Sequence, residues 1–183
     1  ARNADYINRT LHEQHHWSIA EHASATFYIT GVSRALTHEL IRHRHLSYSQ
    51  LSQRFVDESE ANIVIPPAIE CSESDIPYSA CEDGHPNIGS IPEALEWWGQ
   101  EAIWNYQELV ETLQEEGLPR KQAREAARAV LPNMIETRII VTGNLRAWNE
   151  VIQRRTAPDA DAEFQLVAGM IRDQLHEIAP GVI

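Results

Sequence analysis

The chain has 183 residues, 43% of them apolar, which is enough for one folded domain with a hydrophobic core. Its formal net charge is −12, which argues against a general nucleic-acid-binding protein because such a protein needs a broad basic face. No apolar run of about 18 residues occurs, so we predict no membrane-spanning helix. We expect residues 1–183 to form a single cytoplasmic domain, a fragment that lacks the extreme N-terminus of a longer product, since the chain starts at Ala1 without methionine.

Two helices and two strands are predicted in the first third of the chain. Residues 4–15 have a weak helical pattern. In the segment ASATFYITG, apolar and polar side chains alternate, which predicts a half-buried strand that ends at Gly31. Apolar residues then recur at helical spacing, and this predicts a helix over about residues 33–44. The segment NIVIPP predicts a short strand that Pro66 closes.

A long surface loop is predicted over residues 66–91, which are rich in proline, serine, glycine and acidic residues. Its two cysteines, Cys71 and Cys81, are interpreted as isolated thiols rather than a disulfide. Ser90 and Glu93 then have the spacing of a capping box, so a helix is predicted to begin there and to end at Gly117. Its apolar stripe is interpreted as core packing and consists of Leu95, Trp98, Ala102, Tyr106, Leu109 and Leu113.

Three more helices and one strand are predicted in the C-terminal third. The helices cover about residues 120–131, 145–156 and 159–178, the last with Asp159 as its N-cap, and the strand is TRIIVTG. Strands and helices do not alternate as βαβ units, so a parallel sheet is not favoured. We therefore predict an α+β fold, mainly an antiparallel sheet with several packed helices.

The segment ELIRHRHLSYSQLSQRF concentrates cations and hydroxyl groups in an otherwise acidic chain. Guanidinium groups match phosphate with two parallel hydrogen bonds, and serine hydroxyls complete such a site. Because serines rather than acidic residues separate these arginines, the pattern predicts a site for a small anion. The basic residues fall into three groups: Arg42, Arg44 and Arg54; Lys121, Arg124 and Arg128; and Arg146, Arg154 and Arg155.

Other chemistries have weaker signals. Six of the nine histidines lie between His15 and His45, which leaves a zinc-dependent hydrolase open as an alternative, although no cysteine lies near them and we predict no metal. Neither glycine-rich phosphate-loop pattern is present. No order of serine, histidine and aspartate indicates a catalytic triad, so Ser52 is interpreted as a ligand-binding hydroxyl rather than a nucleophile.

The pattern from Arg42 to Arg54 resembles the R-H-R-x(2)-S-x(4)-S-x-R signature of the flavin-dependent thymidylate synthases, with every fixed position filled. The flanking segments HHWSIAEHASATFYITGVSRALTHELIRHRH and RKQAREAARAVLPNMIETRIIVTGNLRAW resemble the same family, its actinobacterial members in particular. The resemblance covers most of residues 12–65 and 118–179 and fades over 70–100.

This resemblance implies an α+β enzyme that converts dUMP to dTMP. Methylenetetrahydrofolate is then the one-carbon donor, FAD carries the hydride and NADPH reduces the flavin. It also implies a homotetramer with ligand sites at subunit interfaces, and a mechanism in which no enzyme cysteine attacks the uracil ring.

Residue by residue, the resemblance implies two ligand sets. The flavin set comprises Ser18, Arg42, His43, Arg44, Gln50, Asn144, Leu145, Arg146 and Glu150. The dUMP set comprises Glu39, Leu40, Ile41, Arg42, Gln50, Leu51, Ser52, Gln53, Arg54, Arg128 and Arg155. Arg155 corresponds to the arginine that stabilises negative charge on the uracil ring, so it is the implied catalytic residue.

One position departs from the family pattern. Relatives commonly have His or Asn where this chain has Glu150, and a carboxylate there opposes the negative charge of a reduced flavin. A non-catalytic or weakly active FAD- or nucleotide-binding relative is therefore the alternative to an active enzyme.

Overall fold

The computed structural model describes residues 2–70 and 90–183. The strands are β1 (Ser24–Ser33), β2 (Leu46–Gln50) and β3 (Glu136–Asn144). The α-helices are α1 (Arg2–Asn8), α2 (Arg34–Leu40), α3 (Pro67–Glu70), α4 (Ile91–Glu115), α5 (Arg120–Ala127), α6 (Leu145–Arg155) and α7 (Ala162–Ile178). Arg9–Glu13 is π-helical, and Trp17–His22 and Arg128–Val130 are 3-10 helices. The strands pair in the order β1-β3-β2, and the mixture of helices with an antiparallel sheet confirms the predicted α+β class.

The chain divides into two compact units. The first comprises Ala1–Ile29, Leu36–Ser49 and Ile139–Ile183, and the second comprises Thr30–Ala35 and Gln50–Arg138. The expectation of a single domain over residues 1–183 stays a prediction. Within the described ranges, no helix combines the length and apolar character that crossing a bilayer requires.

Trp148 on α6 anchors the core of the first unit. Its side chain is fully buried, its indole N–H donates to the carbonyl of Ala25 at 3.0 Å, and its ring meets Phe27 edge to face. Satisfying the indole N–H is what allows so large a side chain to be buried at no polar cost. Because α6 also packs against α7, both helices are held over one core.

In the second unit, α4 packs against α5 around Tyr106, Val110, Ala123 and Ala127. The predicted stripe on α4 is wrong in register, since Trp98 and Leu109 are exposed while Gly99 is buried. A Cβ at Gly99 would lie 2.4 Å from the side chain of Ile63, so the missing side chain is what admits Ile63 to this face. A search for apolar periodicity counts apolar side chains, so it does not detect a buried position that is occupied by glycine.

Most helix ends follow the predicted signals. The Ser90 hydroxyl accepts from the N–H of Glu93 at the start of α4, and Gly117, with φ of +95°, follows the end of that helix as predicted. The predicted helix over 33–44 is too long, because α2 ends at Leu40. NIVIPP forms only an isolated antiparallel bridge between Ile63 and Ile135.

The predicted loop over 66–91 is corrected at its first residues. Pro67–Glu70 is a short helix, α3, and the loop prediction for 71–89 lies outside the described residues. Cys71 and Cys81 lie outside them as well.

The N-cap of α7 is Asp161 rather than the predicted Asp159. The Asp161 carboxylate accepts from the N–H of Phe164 at 3.0 Å, because Pro158 and the turn that follows it delay the helix start.

Asp161→Ala is expected to lower the free energy of unfolding by about 0.5–2 kcal/mol, because it removes the acceptor for an otherwise unpaired helix N–H. Asp159→Ala is the matched control and should change the free energy of unfolding by much less. Chemical denaturation of both variants makes the comparison, and equal losses would contradict the assignment of the cap.

Candidate functional site

The signature segment starts where α2 ends, and Tyr48 fixes that end. The Tyr48 hydroxyl lies 2.7 Å from the carbonyl oxygen of Leu40 and 2.6 Å from that of His43. Its single proton is shared between these two carbonyls, which also accept from the backbone N–H groups of His43 and Leu46. Burial raises the pKa of Tyr48 to about 12, so the hydroxyl keeps its proton and remains a donor. This contact holds the backbone from Leu40 to His43 in its turn.

Arg155, at the end of α6, is held by two side chains from this segment. Its Nε donates to Nε2 of His43 at 3.0 Å, and its Nη1 donates to Oε2 of Glu39 at 2.9 Å. The guanidinium also stacks over the ring of Phe164, with Cζ 4.7 Å from the centroid. The family resemblance implies ligand roles for Glu39, His43 and Arg155, but it gives no signal for Phe164.

The imidazole of His43 is the acceptor in this cluster. Burial and, after it, the charges of Arg155 and Arg154 lower the pKa of His43, while Glu150 and Glu39 raise it by less. The neutral form is therefore favoured, which agrees with Nε2 accepting a hydrogen bond from Nε of Arg155.

Two clefts of about 360 Å³ each lie beside this cluster. They share His45, Ala147 and Glu150. The first cleft is lined by Arg42, His43, Arg44, His45, Leu46, Ala147, Glu150 and Arg154. The second is lined by Glu21, His45, Asn144, Arg146, Ala147 and Glu150.

Cations outnumber anions in the lining of the two clefts. Four arginines face two carboxylates, and each carboxylate has an arginine partner: Glu150 with Arg154 at 2.8 Å, and Glu21 with Arg146. The surplus of guanidinium groups suits an anionic ligand such as a pyrophosphate. Arg154 and His45 line the clefts although neither belongs to the predicted flavin set.

The predicted flavin set is only partly gathered at these clefts. Asn144 lies there and also caps α6, since its Oδ1 accepts from the N–H of Ala147 at 2.8 Å. Leu145 is buried in the core, and its N–H donates to the carbonyl of Ala23. Ser18 is exposed on the 3-10 helix Trp17–His22 and does not line either cleft.

The predicted dUMP residues of the first unit differ in exposure. Leu40 is fully buried, so only its backbone can reach a ligand, whereas Ile41 is exposed and Glu39 is half-buried. Arg42 is exposed beside the first cleft.

The second unit holds the other predicted dUMP residues around the end of β2. Gln50 donates from Nε2 to the Thr137 hydroxyl at 3.3 Å, and the N–H of Leu51 donates to the carbonyl of Arg138 at 2.9 Å. Gln53 is buried. These contacts fix the path of the chain into the Ser52–Arg54 turn.

That turn presents a hydroxyl and a guanidinium near one another. The Ser52 hydroxyl accepts from the N–H of Arg54, and Arg54 forms an ion pair with Glu125 at 2.8 Å. Arg54 and Lys121 line a cleft of about 530 Å³ together with Gln122, Glu125 and Ala126. Arg128 lies in the 3-10 helix after α5 and is not among the residues of this lining.

Arg124 serves the structure of the same segment. Its Nη1 donates to the carbonyl of Phe55 at 2.9 Å, and its Nη2 pairs with the carboxylate of Asp57. Lys121 stacks over the ring of Phe55. Arg124 therefore holds residues 55–57, which follow Arg54, against α5. Lys121 contacts Phe55 and also lines the 530 Å³ cleft.

The N-terminal histidines are not arranged for zinc. Residues 12–16, HEQHH, match the H-E-x-x-H pattern, in which two histidines one helical turn apart bind the ion. Here the helix ends at Glu13 and His15 has φ of +57°, so His12 and His16 do not share a helix face. Across residues 2–70 and 90–183, no three side chains of the metal-binding types gather. The zinc-hydrolase hypothesis has no site in this part of the chain.

The lowered pKa of His43 predicts a pH-dependent contribution to stability. Above the ordinary pKa of about 6.5, the neutral imidazole contributes fully, and the contribution is lost as the pH falls through the lowered pKa of the folded state. His43→Gln retains an acceptor for Arg155 but does not titrate. The difference in unfolding free energy between the original protein and His43→Gln should therefore shrink between about pH 7 and pH 5.

Urea unfolding at several pH values provides the measurement. His38→Gln, on the exposed side of α2, is the control for removing a histidine elsewhere. Parallel curves for the original protein and His43→Gln would contradict the role of His43 as a buried neutral acceptor.

Comparison with known proteins gives a consistent result. The family described as "Thymidylate synthase complementing protein" matches residues 1–181. The flavin-dependent thymidylate synthase of Mycobacteroides abscessus is 45% identical over 185 residues, which cover 100% of this chain and 69% of the relative. Those of Mycobacterium avium and Mycobacterium tuberculosis are each 44% identical over 189 residues, with the same coverage.

The fold is also that of a solved structure. Thymidylate synthase X of Helicobacter pylori, crystallised with FAD and dUMP, superposes with a TM-score of 0.67 at 22% identity, covering 97% of this chain and 81% of that one. The structural match supports the fold, and the sequence matches show the family. The chain belongs to the family of flavin-dependent thymidylate synthases.

Proposed function

We propose that this protein catalyses the reductive methylation of dUMP to dTMP, with methylenetetrahydrofolate as one-carbon donor, FAD as bound cofactor and NADPH as reductant. The observation that carries the proposal is Arg155, held by Glu39 and His43 of the signature segment beside a cationic cleft. Relatives of the same family at 44–45% identity are flavin-dependent thymidylate synthases, and the Helicobacter pylori structure contains both FAD and dUMP.

The two clefts of the first unit suit FAD. Their arginines offer donors to a pyrophosphate, and Arg42, Arg44, Arg146 and Asn144 are the residues that would hold the cofactor. When bound, FAD supplies the two-electron chemistry that protein side chains lack. His43 contributes through Arg155, since its imidazole accepts a hydrogen bond from that side chain.

The Ser52–Arg54 turn of the second unit suits the nucleotide phosphate. Arg54 lines a cleft with Lys121, and the Ser52 hydroxyl lies within the same turn. A guanidinium, an ammonium and a hydroxyl are the groups that recognise a phosphate dianion. Glu125 pairs with Arg54 through Nε, so a phosphate can bind at Nη1 and Nη2 without breaking this pair.

Arg155 is proposed to act on the uracil ring. A fixed guanidinium beside the carbonyl edge stabilises negative charge that develops on the ring, and this raises electron density at the carbon that attacks the one-carbon unit. Glu39 and His43 hold Arg155 in position before substrate binds, so little reorganisation is needed at the moment of reaction.

The proposed assembly is a cytoplasmic homotetramer. Leu166 and Met170 on α7 support an interface, because these apolar side chains are 59% and 63% exposed.

A binding protein without turnover is the second candidate, and the observation that favours it is Glu150, a carboxylate in the lining of both clefts.

The decisive assay follows NADPH oxidation and dTMP formation by the FAD-loaded protein with dUMP and methylenetetrahydrofolate. We expect dTMP from the original protein and at least a hundredfold slower turnover from Arg155→Ala, on the order of the effect of removing one preorganised electrostatic donor. FAD should stay bound in this variant.

Absence of dTMP with FAD and dUMP bound would favour the binding protein, and loss of FAD from Arg155→Ala would contradict its assigned role. Light scattering of the same preparation measures the mass of the assembly. We expect the mass of a tetramer, and the mass of a monomer would contradict the proposed assembly.

Glu150→Gln is expected to tighten FAD binding severalfold and to raise the reduction potential of the bound flavin. The carboxylate opposes negative charge in the cleft, but Arg154 offsets part of it and the pair is half exposed, so the effect is moderate. Glu111→Gln, outside the lining of both clefts, controls for the change in net charge. Weaker FAD binding in Glu150→Gln would instead show that Glu150 is a cofactor ligand.

A further inference from the structure

Phe164 belongs to neither predicted ligand set, yet it contacts two residues of the proposed site. Its ring lies under the guanidinium of Arg155, 4.7 Å from Cζ, and it meets the imidazole of His43 edge to face at 6.1 Å. Its side chain is completely buried. The N–H of Phe164 donates to the Asp161 cap, so the first turn of α7 fixes where the ring stands.

We propose that Phe164 is a positioning residue that sets the tilt of the Arg155 guanidinium toward dUMP. The inference rests on the proposed function, because it assumes that Arg155 acts on this nucleotide.

The guanidinium of Arg155 is a planar group, and its contacts restrict it in different directions. The two hydrogen bonds of Arg155, from Nε to His43 and from Nη1 to Glu39, leave opposite sides of the guanidinium, because Nη1 lies on the Cδ side and the Nε–H points to the Nη2 side. Hydrogen bonds made in the plane fix its position and its in-plane rotation, but the group can still tilt about the line that joins them. A ring face stacked against the plane opposes that tilt, and this is the contact that Phe164 makes.

Burial makes the contact stronger. The Arg155 side chain retains only 19% of its exposure, and the attraction between a cation and an aromatic face grows as water is removed. The edge contact with His43 also keeps Nε2 directed at Arg155. With Nε, Nη1 and one face occupied, the guanidinium nitrogen Nη2 is the donor that these contacts leave for a ligand.

The test measures dUMP binding to the FAD-loaded protein by calorimetry, which needs no turnover. Phe164→Leu keeps an apolar side chain but removes the ring face, and we expect it to weaken dUMP binding about 5- to 30-fold, the range of a desolvated cation–aromatic contact. Phe164→Met, which also fills space flexibly, is the second variant if Phe164→Leu does not fold. Phe27→Leu is the matched control, because it removes an aromatic contact to Trp148 within the same unit, and it should leave dUMP affinity unchanged.

The discriminating readout is a double-mutant cycle. If Phe164 acts through Arg155, Phe164→Leu should change dUMP affinity less than about twofold when Arg155→Ala is already present. An equal loss in both backgrounds, or no loss in the single variant, would overturn the inference. Failure of the original protein to bind dUMP at all would instead overturn the proposed function.

Discussion

The hydrogen bonds from Arg155 to Glu39 and His43 are the interaction on which the site depends. They join the end of α6 to the end of α2, and the bond from Nε requires a neutral imidazole at His43. Tyr48 holds the turn that carries His43, so a hydrogen-bonded turn and the end of α2 together set the position of the guanidinium. An arginine fixed in this way can stabilise charge on a substrate without first losing its own conformational freedom.

The acidic composition and the cationic site are consistent with each other. The chain carries 27 acidic side chains, and several of them pair with the site arginines: Glu39 with Arg155, Glu150 with Arg154, Glu21 with Arg146 and Glu125 with Arg54. These pairs keep the cations oriented while leaving them available to a more strongly charged anion. Exchange of a partly exposed carboxylate for a phosphate costs little, because such pairs are weak in water.

Much of the fold could be predicted from local signals. The capping box at Ser90, the positive-φ glycine after α4 and the alternation in β1 identify elements that the structure contains. The errors have specific physical causes. The α4 register depends on the side chain that Gly99 lacks, and the start of α7 depends on which of two nearby aspartates reaches a backbone N–H.

The sequence predicts some residues of the candidate site and gives no signal for others. The signature pattern identifies Arg42, Arg44, Arg54 and Ser52 because their spacing is fixed in the sequence, whereas Arg155 is implied only by the wider family resemblance. Tyr48 and Phe164 escape it because their contribution depends on tertiary contacts: a hydroxyl directed at two carbonyls and a ring stacked under a guanidinium. The pair of Glu150 and Arg154 is different, because its i,i+4 spacing within the predicted helix over 145–156 is a local signal.

The central claim is that electrons from the bound flavin end in the methyl group of dTMP. The most direct measurement is an anaerobic single turnover, in which FAD on the protein is reduced, excess reductant is removed, and dUMP and methylenetetrahydrofolate are added. We expect the flavin to be reoxidised only when both substrates are present, with one dTMP formed per flavin oxidised. Reoxidation without dTMP, or a flavin that stays reduced with both substrates bound, would contradict it.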